Sequence, residues 1–262
     1  MERVIIKQLY SNNLKRNKTI RIILPMNYNK EISSYPVLYM HDGQYLVNES
    51  PYSNYSWEVL KTIDKMYNLI NGIIIVGIDS DNKYRLMEYS NYLNNSAKKR
   101  LKRLNVNDIH PEADKYGKFI VEELKPMIDS EFRTKKNREN TYIAGSSCGG
   151  NISLYLGIKY QMYFSCIGAF SPALYIVKKG LYDYLNKTNI NNRLYIYHDI
   201  GTNENGFFSK IYYDDDKEFH DYIINKIPKM DVLRIVDEGA THSEKHWAKR
   251  FEIFLLFCHK KT

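Results

Sequence analysis

Cysteine is scarce. The 262-residue chain has three, Cys148, Cys166 and Cys258, an odd number with no C-x-x-C spacing. That argues against a disulfide-stapled fold and against a zinc ribbon. No run approaches the roughly 20 apolar residues of a membrane span. Met1–Lys7 has neither a long apolar core nor a small-residue cleavage site. No linker, repeat or low-complexity stretch interrupts the chain. The sequence therefore reads as one domain over 1–262, cytoplasmic and without a membrane partner. The net charge is +8, but Lys and Arg are dispersed among acids except at Lys98-Lys99-Arg100-Leu101-Lys102-Arg103. No nucleic-acid module accompanies that cluster, so no nucleic-acid partner is expected. The cluster reads as a solvated face, or as a patch that attracts an anionic ligand.

What is there is an alternation of apolar strands and amphipathic helices. Residues 3–10 and 19–26 read as an antiparallel pair around Ser11-Asn12-Asn13. Pro36–Met40 and Gly72–Ile78 are short, nearly continuous apolar runs of the kind buried inside a sheet. Helices are expected at 57–68, 112–131, about 214–226 and 244–258, and further strands at 140–144, Phe164–Phe170, 193–197 and 231–236. This order implies an α/β fold: a mostly parallel sheet with right-handed crossovers, helices on both faces and an antiparallel N-terminal hairpin. The long polar stretch 79–111 leaves the end of a parallel strand and reads as one wall of a ligand cleft.

Tyr142-Ile143-Ala144 runs into Gly145-Ser146-Ser147-Cys148-Gly149-Gly150, a G-x-S-x-G pattern between a strand and a helix. A turn that sharp needs small residues two before and two after the serine, and Gly145 and Gly149 supply them. Ser147 is therefore the candidate nucleophile. Cys148 is out of register for that role and reads as a small apolar residue. A serine hydroxyl needs a base, and the base an orienting acid. His242 lies in the loop after strand 231–236, ahead of His198, His220, His246 and His259 as the base. Glu204, just past strand 193–197, is the preferred acid, with Asp199 as the alternative. Backbone donors for an oxyanion are expected from Cys148 and from Gln44, in the loop His41-Asp42-Gly43-Gln44.

Seven segments in order, PVLYMHDGQ (36–44), RLMEYS (85–90), FIVEELKPMID (119–129), AGSSCGG (144–150), FSP (170–172), GTNE (201–204) and HSEKHW (242–247), resemble the putative-esterase family of α/β-hydrolases. That family includes enterochelin-type siderophore esterases, feruloyl esterase domains, S-formylglutathione hydrolases and mycolyltransferases. The resemblance implies an α/β-hydrolase fold with Ser147 as nucleophile, His242 as base, the Glu204 position as acid, and amides of Gln44 and Cys148 as oxyanion donors. Two positions depart from the pattern. Cys148 stands where methionine is frequent, and the acid is Asp in some relatives, which keeps Asp199 open. Asp42, Arg85, Glu88 and Tyr89 are expected to line or brace the cleft, with a structural ion pair as the alternative for Arg85, Glu88 and Tyr89. The expected activity is hydrolysis of a small-molecule carboxylic ester, anionic or aromatic, with no cofactor and no metal. Acyl transfer to an alcohol or sugar, or a catalytically silent binding role, are the rivals.

Overall fold

The structure, a computed structural model, describes residues 3–228 and 231–261. Its centre is an eight-stranded sheet of β1 (Val4–Ser11), β2 (Arg16–Ile23), β3 (Val37–His41), β4 (Ile74–Ile78), β5 (Thr141–Ser146), β6 (Cys166–Phe170), β7 (Tyr195–Gly201) and β8 (Val232–Asp237). The spatial order is β1-β2-β4-β3-β5-β6-β7-β8. β1 and β2 are antiparallel to each other, β2 is antiparallel to β4, and the six strands from β4 to β8 run parallel. The expected α/β-hydrolase sheet with an N-terminal hairpin is present.

The helices are α1 (Val59–Lys65), α2 (Tyr67–Ile70), α3 (Arg85–Glu88), α4 (Asn95–Arg103), α5 (Ala113–Lys118), α6 (Lys125–Glu131), α7 (Cys148–Lys159), α8 (Leu174–Lys187), α9 (Ser209–Ile223) and α10 (Glu244–Lys261). β3, β4, β5 and β6 are buried at every residue, because helices cover both faces. On one face Tyr39, Val76, Ile143 and Ile196 pack against the apolar sides of α5 to α9. On the other, Met40, Ile75 and Tyr197 meet α1, α2 and α10, with Trp57, Phe251 and Phe254 as the largest side chains.

Several boundaries differ from the sequence reading. β2 starts at Arg16, not at 19, because the hairpin turn lies at 12–15 with Lys15 in the left-handed region. The helix expected over 57–68 is α1 and α2 with a break at Met66. The helix expected over 112–131 is α5 and α6 joined by a π-helical stretch, Phe119–Leu124. α9 begins at Ser209, so Asp214-Asp215-Asp216 is not a helix start. Asp216 is fully buried and binds His198 and Arg234. α8 is absent from the sequence reading altogether. Leu174, Val177, Leu181 and Leu185 recur at helical spacing and are all buried, which is the signal it left. Within 79–111 the chain forms α3 and α4 rather than a structureless connection.

This topology sets where chemistry can occur. The strand order reverses between β3 and β5, and in open parallel sheets ligands sit at the carboxyl edge beside such a reversal. Asp42, Ser147 and Ser171 directly follow β3, β5 and β6, Glu204 follows β7 by three residues, and His242 follows β8 by five. All five therefore leave the sheet on one rim.

Candidate active site

Ser147 carries φ 57° and ψ −123° at the step from β5 into α7. Such backbone is costly for a residue with a Cβ and persists only where its surroundings impose it. They do so here. The Ser147 amide donates to the Phe170 carbonyl at 2.9 Å, and the Ser147 carbonyl accepts from Ala173 at 3.2 Å. A Cβ on Gly145 would lie 2.9 Å from the Gly149 backbone, so the turn closes only with glycine there. The hydroxyl thus stands at the N-terminus of α7, whose first amides, Cys148 included, have no acceptor within the helix. Cys148 is buried, and it also forms part of the cavity wall.

The Glu204 carboxylate is fully enclosed and its Oε2 lies 2.6 Å from His242 Nδ1. The two loops are also tied through backbone, with His242 N–H donating to the Glu204 carbonyl at 2.9 Å. The other carboxylate oxygen accepts from the Gly201 amide at 2.5 Å and from the Ser171 hydroxyl at 2.6 Å. Ser171, itself left-handed at φ 42°, in turn accepts from Trp247 Nε1 at 2.9 Å and from the Arg250 guanidinium at 3.0 Å. The acid is therefore gripped on both oxygens, and the imidazole inherits its orientation from that grip. The His242 ring is packed against Tyr212 and edge-on to Trp247, each at 5.0 Å between centroids.

Asp199, the alternative acid, does not meet His242. Its carboxylate accepts from the Tyr197 hydroxyl at 2.7 Å and from the Ser171 amide at 3.0 Å, and pairs with Arg250 at 3.0 Å. Burial pushes its carboxyl up to about 6, only partly offset by Arg250 and Tyr197. Sequence reasoning missed Ser171, Trp247 and Arg250. They lay inside or just beyond segments singled out for resemblance, but nothing local marked them as partners of an acid.

A cavity of about 370 Å³ opens over this rim, and Ser147, Cys148 and His242 all line it. Asp42, Arg85 and Leu86 contribute to its wall, as do Ser80 and Asn82 from the start of the 79–111 stretch and Arg100 and Leu104 from α4 and its end. Asp42 is left-handed at φ 56°, and its carboxylate receives Arg85 Nε and a second guanidinium nitrogen at 2.7 Å each and Ser80 Oγ at 2.5 Å. Burial alone would raise the Asp42 carboxyl, but Arg85 and Ser80 outweigh it and hold it below the usual range. Gln44 does not line the cavity. Its side chain clamps Ser80 through both amide atoms, leaving its backbone in the short 3-10 turn Gly43–Tyr45.

Neither Tyr89 nor Glu88 lines the cavity. Tyr89 is buried behind the loop, its hydroxyl oxygen accepting from the Asp42 amide at 3.1 Å, so it braces. Glu88 is fully buried and points the other way, bonded to Arg16 and Lys18 of β2 at 2.8 Å. Glu88 is the last residue of α3 and Tyr89 caps it outside helical geometry, so the two adjacent side chains reach different neighbours.

Known proteins can now be set beside this geometry. A family model described as "Putative esterase" matches residues 11–255. The chain belongs to that esterase family. In Bacillus subtilis it is similar to the uncharacterized protein YjcH (27% identical over 202 residues, 76% of this chain and 72% of that one) and to the uncharacterized protein YbbA (22% over 250 residues, 94% of each). Among solved structures it superposes on a ferulic acid esterase at TM-score 0.72 with 18% identity, covering 99% of this chain and 98% of that one. The enterobactin esterase FES from Shigella flexneri gives 0.73 with 15% identity, over 98% of this chain and 58% of that one. At such identities these structures speak to the fold, which they share with this esterase. Membership of the family supports ester hydrolysis as its chemistry. Among the described residues no helix is long and apolar enough to cross a membrane.

Proposed function

We propose that the chain is a serine carboxylic-ester hydrolase that works through an acyl-enzyme with Ser147, His242 and Glu204. The carrying observation is the 2.6 Å Glu204–His242 contact at the wall of the cavity that Ser147 also lines. In the first half-reaction the Ser147 oxygen attacks the ester carbonyl while His242 Nε2 takes its proton. The tetrahedral oxyanion is held by the Cys148 amide; Gln44, expected to give the second amide, lies outside the cavity lining. The C–O bond to the alcohol breaks, and His242 returns the proton to the leaving oxygen. In the second half-reaction a water gives its proton to His242 and attacks the acyl carbon, releasing the carboxylic acid and restoring Ser147. Glu204 fixes the Nδ1–H tautomer and stabilises the imidazolium in both halves.

The wall supports a small-molecule ester with an aromatic or anionic part. Tyr45, Tyr52, Tyr175 and Tyr212 offer ring faces, and Arg100 offers a cation. A fluorophosphonate probe tests the nucleophile. Wild type is labelled in one-to-one stoichiometry and Ser147→Ala is not. Labelling that survives in Ser147→Ala refutes the assignment.

A further inference from the structure

Glu244 is the first residue of α10, two positions past His242, and it lines the same cavity while being only 6% exposed. One of its carboxylate oxygens accepts from Ser53 Oγ, which ties the loop after β3 to the start of α10. Among the described residues the other oxygen accepts from no protein donor, and no Lys, Arg or His nitrogen lies within ion-pair distance. Nor is that oxygen among the polar atoms sealed in protein without a partner. The remaining acid of the wall, Asp42, is neutralised by Arg85. Glu244 is thus a buried, half-satisfied anion beside the reacting centre. Its neighbours there are polar: Ser53 adjoins Tyr52, whose hydroxyl reaches Asn82 at 3.3 Å. Elsewhere on the wall Tyr175 and Tyr212 are in ring contact at 5.3 Å, and Arg100 brings a positive charge from α4.

A carboxylate oxygen open to the cavity loses its water when substrate fills that cavity, and the loss is costly unless a donor on the substrate meets it. We propose that Glu244 is a specificity-determining residue that receives a hydrogen-bond-donating group, a hydroxyl or an ammonium, on the ester substrate. The inference rests on the serine-hydrolase reading and adds the chemical character of one subsite to it.

Four butyrate esters of similar size test it: dimethylaminoethyl, 2-hydroxyethyl, propyl and carboxymethyl. Wild type favours the first or the second over propyl in kcat/KM. A preference for dimethylaminoethyl identifies an ammonium, and one for 2-hydroxyethyl alone identifies a polyol. Glu244→Gln lowers the ratio of dimethylaminoethyl to propyl, or of 2-hydroxyethyl to propyl, by about tenfold, chiefly through KM, as expected for losing a charge-assisted bond. Ser53→Ala, which removes the loop tie and keeps the carboxylate, leaves that ratio near wild type. A Glu244→Gln variant that slows all four esters by one common factor overturns the subsite and leaves a structural tie. The same ratio loss in Ser53→Ala overturns it too. Failure here is separable from failure of the mechanism: if Ser147→Ala is dead toward all four esters and the Glu244→Gln ratios do not move, only the subsite falls. Turnover persisting in Ser147→Ala removes both.

Discussion

Two carboxylate–histidine pairs sit at the β7 side of the sheet, and their contact lengths are the same. Glu204 meets His242 at 2.6 Å, and Asp216 meets His198 at 2.6 Å. Distance therefore does not distinguish the proposed catalytic pair from a structural one. What differs is the far side of each ring. His198 is fully buried between β7 and α9, its Nε2 facing His220 Nδ1 at 3.2 Å and its edge packed on Phe219. His242 keeps 19% of its side chain accessible and borders a cavity shared with a strained serine. The carboxylates differ likewise. Asp216 is consumed by His198 and Arg234, an ion-pair arrangement whose main effect is to hold α9 on the sheet. Among the described residues, the Glu204 carboxylate makes hydrogen bonds, besides that with its histidine, with neutral donors alone. Access to the cavity, not merely an acid beside the ring, is what separates the proposed base from the structural histidine.

The largest effect that could break this contrast is on turnover. His242→Ala should cost about 10⁵-fold or more in kcat, on the scale seen when a triad base is removed. His198→Asn, per folded molecule counted by active-site titration, should stay within a few-fold of wild type. Comparable losses in the two variants would erase the distinction. Next, Glu204→Gln should cost about 10³- to 10⁴-fold in kcat with KM little changed, as an amide favours the wrong tautomer. Asp199→Asn should lose far less, and the reverse ranking would make Asp199 the acid. Third, Gly43→Ala should destabilise by about 1–3 kcal/mol by overpacking. Its Cβ would lie 2.6 Å from the Gly77 carbonyl carbon and 2.7 Å from the Ile78 nitrogen, both main chain. Denaturant midpoints check this.

The smallest effect concerns pH. Asp199 is raised from 3.8 to about 6 by burial. Between those values the folded state holds a proton that the unfolded state has lost, so this group makes stability fall as pH rises through the window. Relative to Asp199→Asn, wild type should lose on the order of 2 kcal/mol between pH 4 and 6. Melting curves across that range check it. A difference that is flat or rises with pH would contradict the buried, protonatable Asp199.

Much of this was legible in the residues, for identifiable reasons. β3, β4 and β5 announced themselves as short apolar runs because both faces of each are covered. Ser147 was legible because a tight strand-to-helix turn excludes all but small flanking residues, and that constraint is local. Glu204 and His242 could be nominated from chain order and strand ends, but their 2.6 Å meeting is a tertiary fact. α8 was missed although its four buried leucine and valine positions carry the helical period; in the structure its N-cap is Ala173, with no side-chain cap. Glu88 was expected to line or brace the cleft, or to form a structural ion pair, because it lies in the RLMEYS segment. The direction it faces is set by Arg16 and Lys18 some 70 residues earlier, which no local pattern encodes. The Ser171, Trp247 and Arg250 grip on Glu204 was hidden for the same reason.

Ser147, made nucleophilic as His242 takes its proton, is proposed to carry the acyl group. Rapid mixing with p-nitrophenyl acetate, acid quench and peptide mass spectrometry measures it directly. The account predicts a burst of about one nitrophenolate per active site, one acetyl group on the peptide containing Ser147, and neither in His242→Ala. Acetyl found on Cys148 instead, or steady turnover by wild type with no acylated residue, would contradict it.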